Sequence, residues 1–96
     1  LGVTDQHSLL QLLAEGPQDK FITFLHIEKF TSSLPICPIK SESPAWKIFE
    51  NKTFEDLLRA EFLGTRDALT ENKRPNITIN IPQLNAYTLG QLFFLF

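Results

Sequence analysis

The chain has 96 residues, a formal net charge of −2 and a mean hydropathy of −0.06. That length suits one small domain burying about 60 to 65 per cent of its unfolded surface. Acidic and basic residues are interspersed, so there is no basic stripe to bind nucleic acid or an anionic membrane, and no apolar run nears the roughly 18 residues of a membrane span.

From Thr4 to Glu15 leucines recur at helical intervals, with Thr4 or Asp5 available as a cap and Gly16-Pro17 as a stop, which predicts an amphipathic helix. His7 then falls in the first turn, where the helix dipole disfavours a cationic imidazole and keeps it a neutral proton donor or acceptor. The run Phe21–Ile27 is nearly all apolar, as in a central parallel strand covered on both faces. Pro35, Pro38 and Pro44, set among serines and charges, predict an irregular surface excursion over about 31–51. Its Trp46, Ile48 and Phe49 are expected to anchor it to the core or to a neighbouring subunit, the core being the favoured reading.

Thr53 with Asp56 forms a capping-box pattern, and Leu57, Leu58, Phe62 and Leu69 then give a helical face ending near Thr70. After the charged turn at Glu71–Pro75, Ile77, Ile79 and Ile81 alternate with Thr78 and Asn80 as a strand that Pro82 ends. Thr88 begins a last, apolar helix. The order helix, strand, helix, strand, helix predicts a layered α/β fold with a parallel sheet. A two-stranded sheet is rarely stable alone, so further strands are expected from other chain or from partners. The start without methionine and the apolar end Leu92–Phe96 read as cut ends.

Among the chemically able side chains, the single Cys37 has no second cysteine for a disulfide or a zinc site and reads as a small structural side chain in a reducing compartment. His7 and His26 lie far apart with no metal-ligand spacing, so neither metal nor cofactor is implied. Glu15, Glu28, Glu61 and Glu71 read as solvated charge rather than as a general base. The Asn-x-Thr sequons at Asn51 and Asn76 read as accidental.

Blocks of the chain carry a more specific signal. Thr4-Asp5-Gln6-His7-Ser8, Glu15-Gly16-Pro17-Gln18-Asp19-Lys20, Ala60–Leu69, Lys73–Pro82 and Leu84–Leu92 occur in the order of corresponding segments in one family. They resemble the C-terminal sugar-isomerase (SIS) domain of bacterial glucose-6-phosphate isomerases. The stretch from about Phe30 to Asn51 carries none of that resemblance. The resemblance implies that residues 1–96 form part of an SIS-type, flavodoxin-like α/β domain, incomplete in this chain, with the excursion at about 31–51 on its surface.

By the same resemblance, the parent protein is a cytoplasmic, cofactor-free homodimer of glycolysis and gluconeogenesis. It interconverts glucose 6-phosphate and fructose 6-phosphate by ring opening and an enediol. His7 matches the family histidine that transfers a proton at the ring oxygen and reaches into the neighbouring subunit's site, while Thr4 and Gln6 shape the turn. The family's glutamate base, its arginine and its phosphate-gripping serine/threonine loop would precede Leu1, and a lysine and a glutamine would follow Phe96. The 96-residue chain alone is therefore expected to be inactive. Two other readings stand beside this one: a non-catalytic sugar-phosphate-binding SIS module, and a piece serving mainly as dimer-forming surface.

Overall fold

The computed structural model describes residues 3–37 and 43–96, so Pro38 lies outside the described residues. The expected first helix is two, α1 over Val3–Ser8 and α2 over Leu10–Glu15, joined at Leu9. The joint is a bend rather than a break. The Leu9 amide donates to the Asp5 carbonyl at 2.8 Å and the Leu13 amide to the Leu9 carbonyl at 2.9 Å. The Ser8 hydroxyl donates back to the Thr4 carbonyl at 3.3 Å, a side-chain bond of the kind that bends helices. Thr4 and Asp5 lie inside α1, so neither is its cap. Gly16 ends α2 as expected, its amide 2.9 Å from the Leu12 carbonyl. A Cβ there would run into that carbonyl oxygen, which is why the position takes glycine.

Strand β1 covers Ile22–Lys29, helix α3 Phe54–Glu71 and strand β2 Asn76–Gln83. Among the described residues the sheet has two strands, paired in parallel, and the α/β class read from the sequence is borne out. The register sets Ile22 beside Asn76, Phe24 beside Thr78, His26 beside Asn80 and Ile27 beside Ile81. Pro82 does not end β2. It falls at the step between the Ile27–Ile81 and Lys29–Gln83 pairs where no partner pair forms, a position that tolerates a missing N–H on an edge strand.

Helix α3 starts where the sequence predicts. The Thr53 hydroxyl accepts from the Asp56 amide at 3.2 Å, and the Asp56 carboxylate accepts from the Thr53 amide at 3.0 Å. The helix covers one face of the sheet through Phe62, whose ring meets Phe24 edge-on and His26 face-on. Side chains alternate along a strand, so Leu25, Ile77 and their neighbours occupy the other face. Leu25 is 51% and Ile77 49% exposed.

The expectation of a strand covered on both faces is met only in part among the described residues: α3 covers the Phe24–His26 face, while on the opposite face Ile81 is buried but Leu25 and Ile77 stand half exposed. The bulk geometry agrees. The radius of gyration is 16.1 Å, against about 12.5 Å for a compact domain of this length. The accessible surface is 7694 Å², against about 5,600 Å² expected from size scaling, so closer to half of the unfolded surface is buried than the 60 to 65 per cent expected. Among the described residues the buried side chains are Ile22, Thr65, Leu69 and Ile81.

The excursion leaves and returns at one neck. Pro35 and Thr53 form an antiparallel bridge, the Ile36 amide donates to the Lys52 carbonyl at 2.9 Å, and the Phe54 amide donates to the Leu34 carbonyl at 2.9 Å. It is less irregular than its prolines suggest, because Pro44 opens a 3₁₀ helix over Pro44–Phe49, where its fixed φ and missing N–H cost nothing. Core anchoring by its apolar residues is overturned as well. Trp46 and Phe49 pack on each other at 5.8 Å between ring centroids, and Ile48 is 68% exposed. Cys37 is exposed rather than structural.

The last helix, α4, spans Ala86–Leu95, beginning before the expected Thr88. Asn85 is its cap, accepting from the Thr88 amide at 3.0 Å while the Thr88 hydroxyl accepts from the Asn85 amide at 3.1 Å. Phe93, Phe94, Leu95 and Phe96 stand in solvent. Among the described residues no helix is long and apolar enough to cross a membrane.

Candidate functional site

His7 occupies the last turn of α1, not the first turn of a helix. The first-turn placement expected from the sequence is corrected, since α1 already runs from Val3. The ring is exposed and has no hydrogen-bond partner among the described residues. An imidazole in that setting can meet a molecule from outside the chain with either nitrogen.

The neighbouring motif residues face elsewhere. Asp5 and Gln6 line a cleft of about 420 Å³ bounded by α1, α2, β1 and α3. Successive helical residues are set about 100° apart, so Gln6 looks into the cleft while His7 lies on the outer flank. His7 is not among the cleft residues.

A second histidine, His26, weighed from the sequence only as a metal ligand, is brought into this cleft by the fold. His26 is stacked on Phe62 at 4.5 Å between centroids, and its Nδ1 lies 3.3 Å from Asn80 Oδ1, a donor–acceptor pair in the tautomer protonated on Nδ1. The other wall carries Arg59 and Glu61. Arg59 donates to the Glu28 carbonyl at 3.3 Å. The cleft thus gathers an amide, an imidazole, a guanidinium and carboxylates around an aromatic stack. No sequence spacing announces the His26–Asn80 pair, because it depends on the parallel register of two strands far apart in the chain.

The carboxylates set aside as bases stay apart from His7: Glu15 accepts from Gln11 Nε2 at 3.3 Å, Glu61 faces the cleft, and Glu28 and Glu71 are exposed. Among the described residues no group of three or more His, Cys, Asp or Glu is placed to hold a metal ion.

Two carboxylates held below their ordinary range lie at the neck of the excursion. Hydrogen bonds from its own amide, from Thr53 and from the Leu34 amide hold the Glu55 carboxyl below the usual glutamate range, against an opposing effect of burial. The Thr53 amide and hydroxyl do the same for Asp56, helped by Lys52 and Arg59. These groups fasten the loop to the start of α3 and are remote in sequence from the His7 motif.

Comparison with known proteins places the whole arrangement. No family model matches the chain. The chain is 40% identical over 94 residues to a glucose-6-phosphate isomerase of Carboxydothermus hydrogenoformans, covering 98% of this chain and 20% of that protein. It is 41% identical over 95 residues to that of Desulfitobacterium hafniense and 33% identical over 96 residues to a probable glucose-6-phosphate isomerase of Methanococcus maripaludis. The chain thus spans about a fifth of the length of the curated relatives it matches. A solved structure, that of a hypothetical protein from Thermus thermophilus, superposes with a TM-score of 0.87 at 32% identity over 96% of this chain and 22% of its own. The resemblance read from the sequence blocks is borne out, and matches covering 98% of the chain run through residues 31–51 as well.

Proposed function

We propose that this chain, which belongs by sequence to the glucose-6-phosphate isomerases as a segment about a fifth of their length, supplies the histidine that opens the sugar ring in a parent isomerase. The parent's reaction interconverts glucose 6-phosphate and fructose 6-phosphate. Opening the cyclic sugar breaks the bond between C1 and the ring oxygen: a proton arrives at that oxygen as another leaves the C1 hydroxyl, and an aldehyde results. The isomerisation is then completed through an enediol, as the C2 proton moves to C1 while O2 gives up its hydroxyl proton and O1 gains one. His7 is assigned the proton at the ring oxygen.

The observation that carries this reading is the exposed imidazole, without a hydrogen-bond partner among the described residues, within the Thr4–Ser8 motif of a chain that matches an isomerase over 98% of its length. An outward ring on the flank of α1 supports its use by a site that this segment does not itself enclose. We therefore assign the parent a homodimer with shared sites in a soluble cytoplasmic enzyme, and residues 1–96 to part of its C-terminal SIS domain, with 31–51 as a surface excursion. None of Glu15, Glu28, Glu61 and Glu71 is hydrogen-bonded to His7, which supports an inactive isolated segment.

The test is His7→Asn in the full-length isomerase that contains this segment. A lost general acid or base lowers turnover by about 10² to 10⁴, and that is the expected loss. Turnover at the parental rate would overturn the assignment. Sugar-phosphate binding by the parent without any turnover would instead identify the non-catalytic SIS module.

A further inference from the structure

Arg74 ties the helix pair that carries His7 to the rigid part of the fold. Its backbone is fixed on several sides: its amide donates to the Leu69 carbonyl at 2.8 Å, its carbonyl accepts from Asn76 Nδ2 at 2.9 Å, and the adjacent Pro75 carbonyl accepts from the Ile22 amide at 3.1 Å. Leu69 and Ile22 belong to the buried core. From this base the half-buried side chain crosses to α2, where its Nε donates to the Ala14 carbonyl at 2.7 Å.

Ala14 lies in the last turn of α2, whose carbonyls have no partner within the helix and whose dipole favours a cation. Helix α2 buries no residue of its own, so packing constrains its direction little and this polar link carries more of the burden. Arg74 Nη1 is buried without a partner among the described residues. A donor left in that state is costly, which argues against a group kept for stability alone.

We propose that Arg74 is a positioning residue for His7, fixing the end of α2 and through it the direction in which α1 presents the imidazole. The inference rests on the ring-opening role of His7 given above. Ala14 lies roughly 10 Å along the helix axis from His7. The bonds Leu9 to Asp5 and Leu13 to Leu9 carry orientation across the joint between them. A displacement on the order of 1 Å in a reacting group costs about a hundredfold in rate, so a small movement at Ala14 reaches the chemistry.

A double-mutant cycle in the full-length isomerase tests this. Arg74→Ala is expected to lower kcat about ten- to a hundredfold with KM little changed, and Arg74→Lys, which keeps a charge and a donor, to recover part of the loss. In a His7→Ala background, Arg74→Ala should cause no further loss. Equal losses in both backgrounds, or an unchanged kcat, would overturn the proposal, since a purely structural residue acts independently of His7. If Arg74→Ala does not fold, Arg74→Gln and Arg74→Lys are carried through the same cycle and read the same way. Parental turnover by His7→Ala overturns the ring-opening assignment and this proposal together, whereas additive losses overturn the proposal alone.

Discussion

The imidazole of His26 lies flat on the ring of Phe62, with centroids 4.5 Å apart and planes 13° from parallel. This stack fastens α3 to one face of the sheet, with Phe24 meeting the same ring edge-on at 5.5 Å. Phe62→Leu keeps most of the apolar volume and loses the stack. It is expected to lower unfolding stability by about 1 kcal/mol, and Phe62→Ala by about 2 kcal/mol or more. Urea midpoints measured on both variants check the ranking, and equal midpoints would show that the stack contributes nothing.

The neck of the excursion predicts a defined acid limb. Glu55 and Asp56 have carboxyl groups held below their ordinary range in the folded chain, by the amides and hydroxyl that donate to them. A carboxyl depressed on folding stabilises fully above its unfolded value, and that contribution fades as pH falls through the folded value. Stability should therefore decline on acidification from about pH 5 downward, and Glu55→Gln with Asp56→Asn should flatten the decline. Thermal melts across that range measure it. A limb of unchanged steepness in the double variant would contradict the assignment.

The half-exposed part of the second sheet face predicts stickiness in the isolated chain. Leu25 and Ile77 are each about half exposed beside Thr23, and contiguous apolar surface of this kind binds hydrophobic dyes and other chains. Leu25→Thr with Ile77→Thr should reduce dye binding and concentration-dependent sedimentation while leaving the unfolding free energy within about 0.5 kcal/mol. Unchanged dye binding would place the exposed apolar surface elsewhere, at Phe93–Phe96.

Local chemistry is legible in the sequence and long-range chemistry is not. Thr53 and Asp56 announce the start of α3 because a capping box needs only residues three apart. The matching box at Asn85 and Thr88 escapes notice because threonine replaces the usual glutamate or glutamine at its third position. Pro82 reads as a stop, yet its effect depends on which edge of the strand faces a neighbour. Thr4 and Asp5 are good caps, and that preference hides the earlier start of α1, which moves His7 out of the first turn. The apolar content of β1 reports what the strand can bury against, not what this chain provides. His7 itself stands out through its motif. His26 beside Asn80 and Arg74 on Ala14 join residues more than fifty positions apart, and only the fold makes them neighbours.

Whether His7 serves the ring oxygen is decided by separating ring opening from the later proton transfer. Full-length His7→Asn enzyme would be supplied with glucose 6-phosphate and, separately, with an analogue lacking the C4 and C5 hydroxyls, which cannot close a ring. Turnover of the cyclic substrate is expected to fall by about 10² to 10⁴, with solvent deuterium entering C2 of the open-chain analogue at close to the parental rate. Equal losses on the two substrates would remove His7 from ring opening.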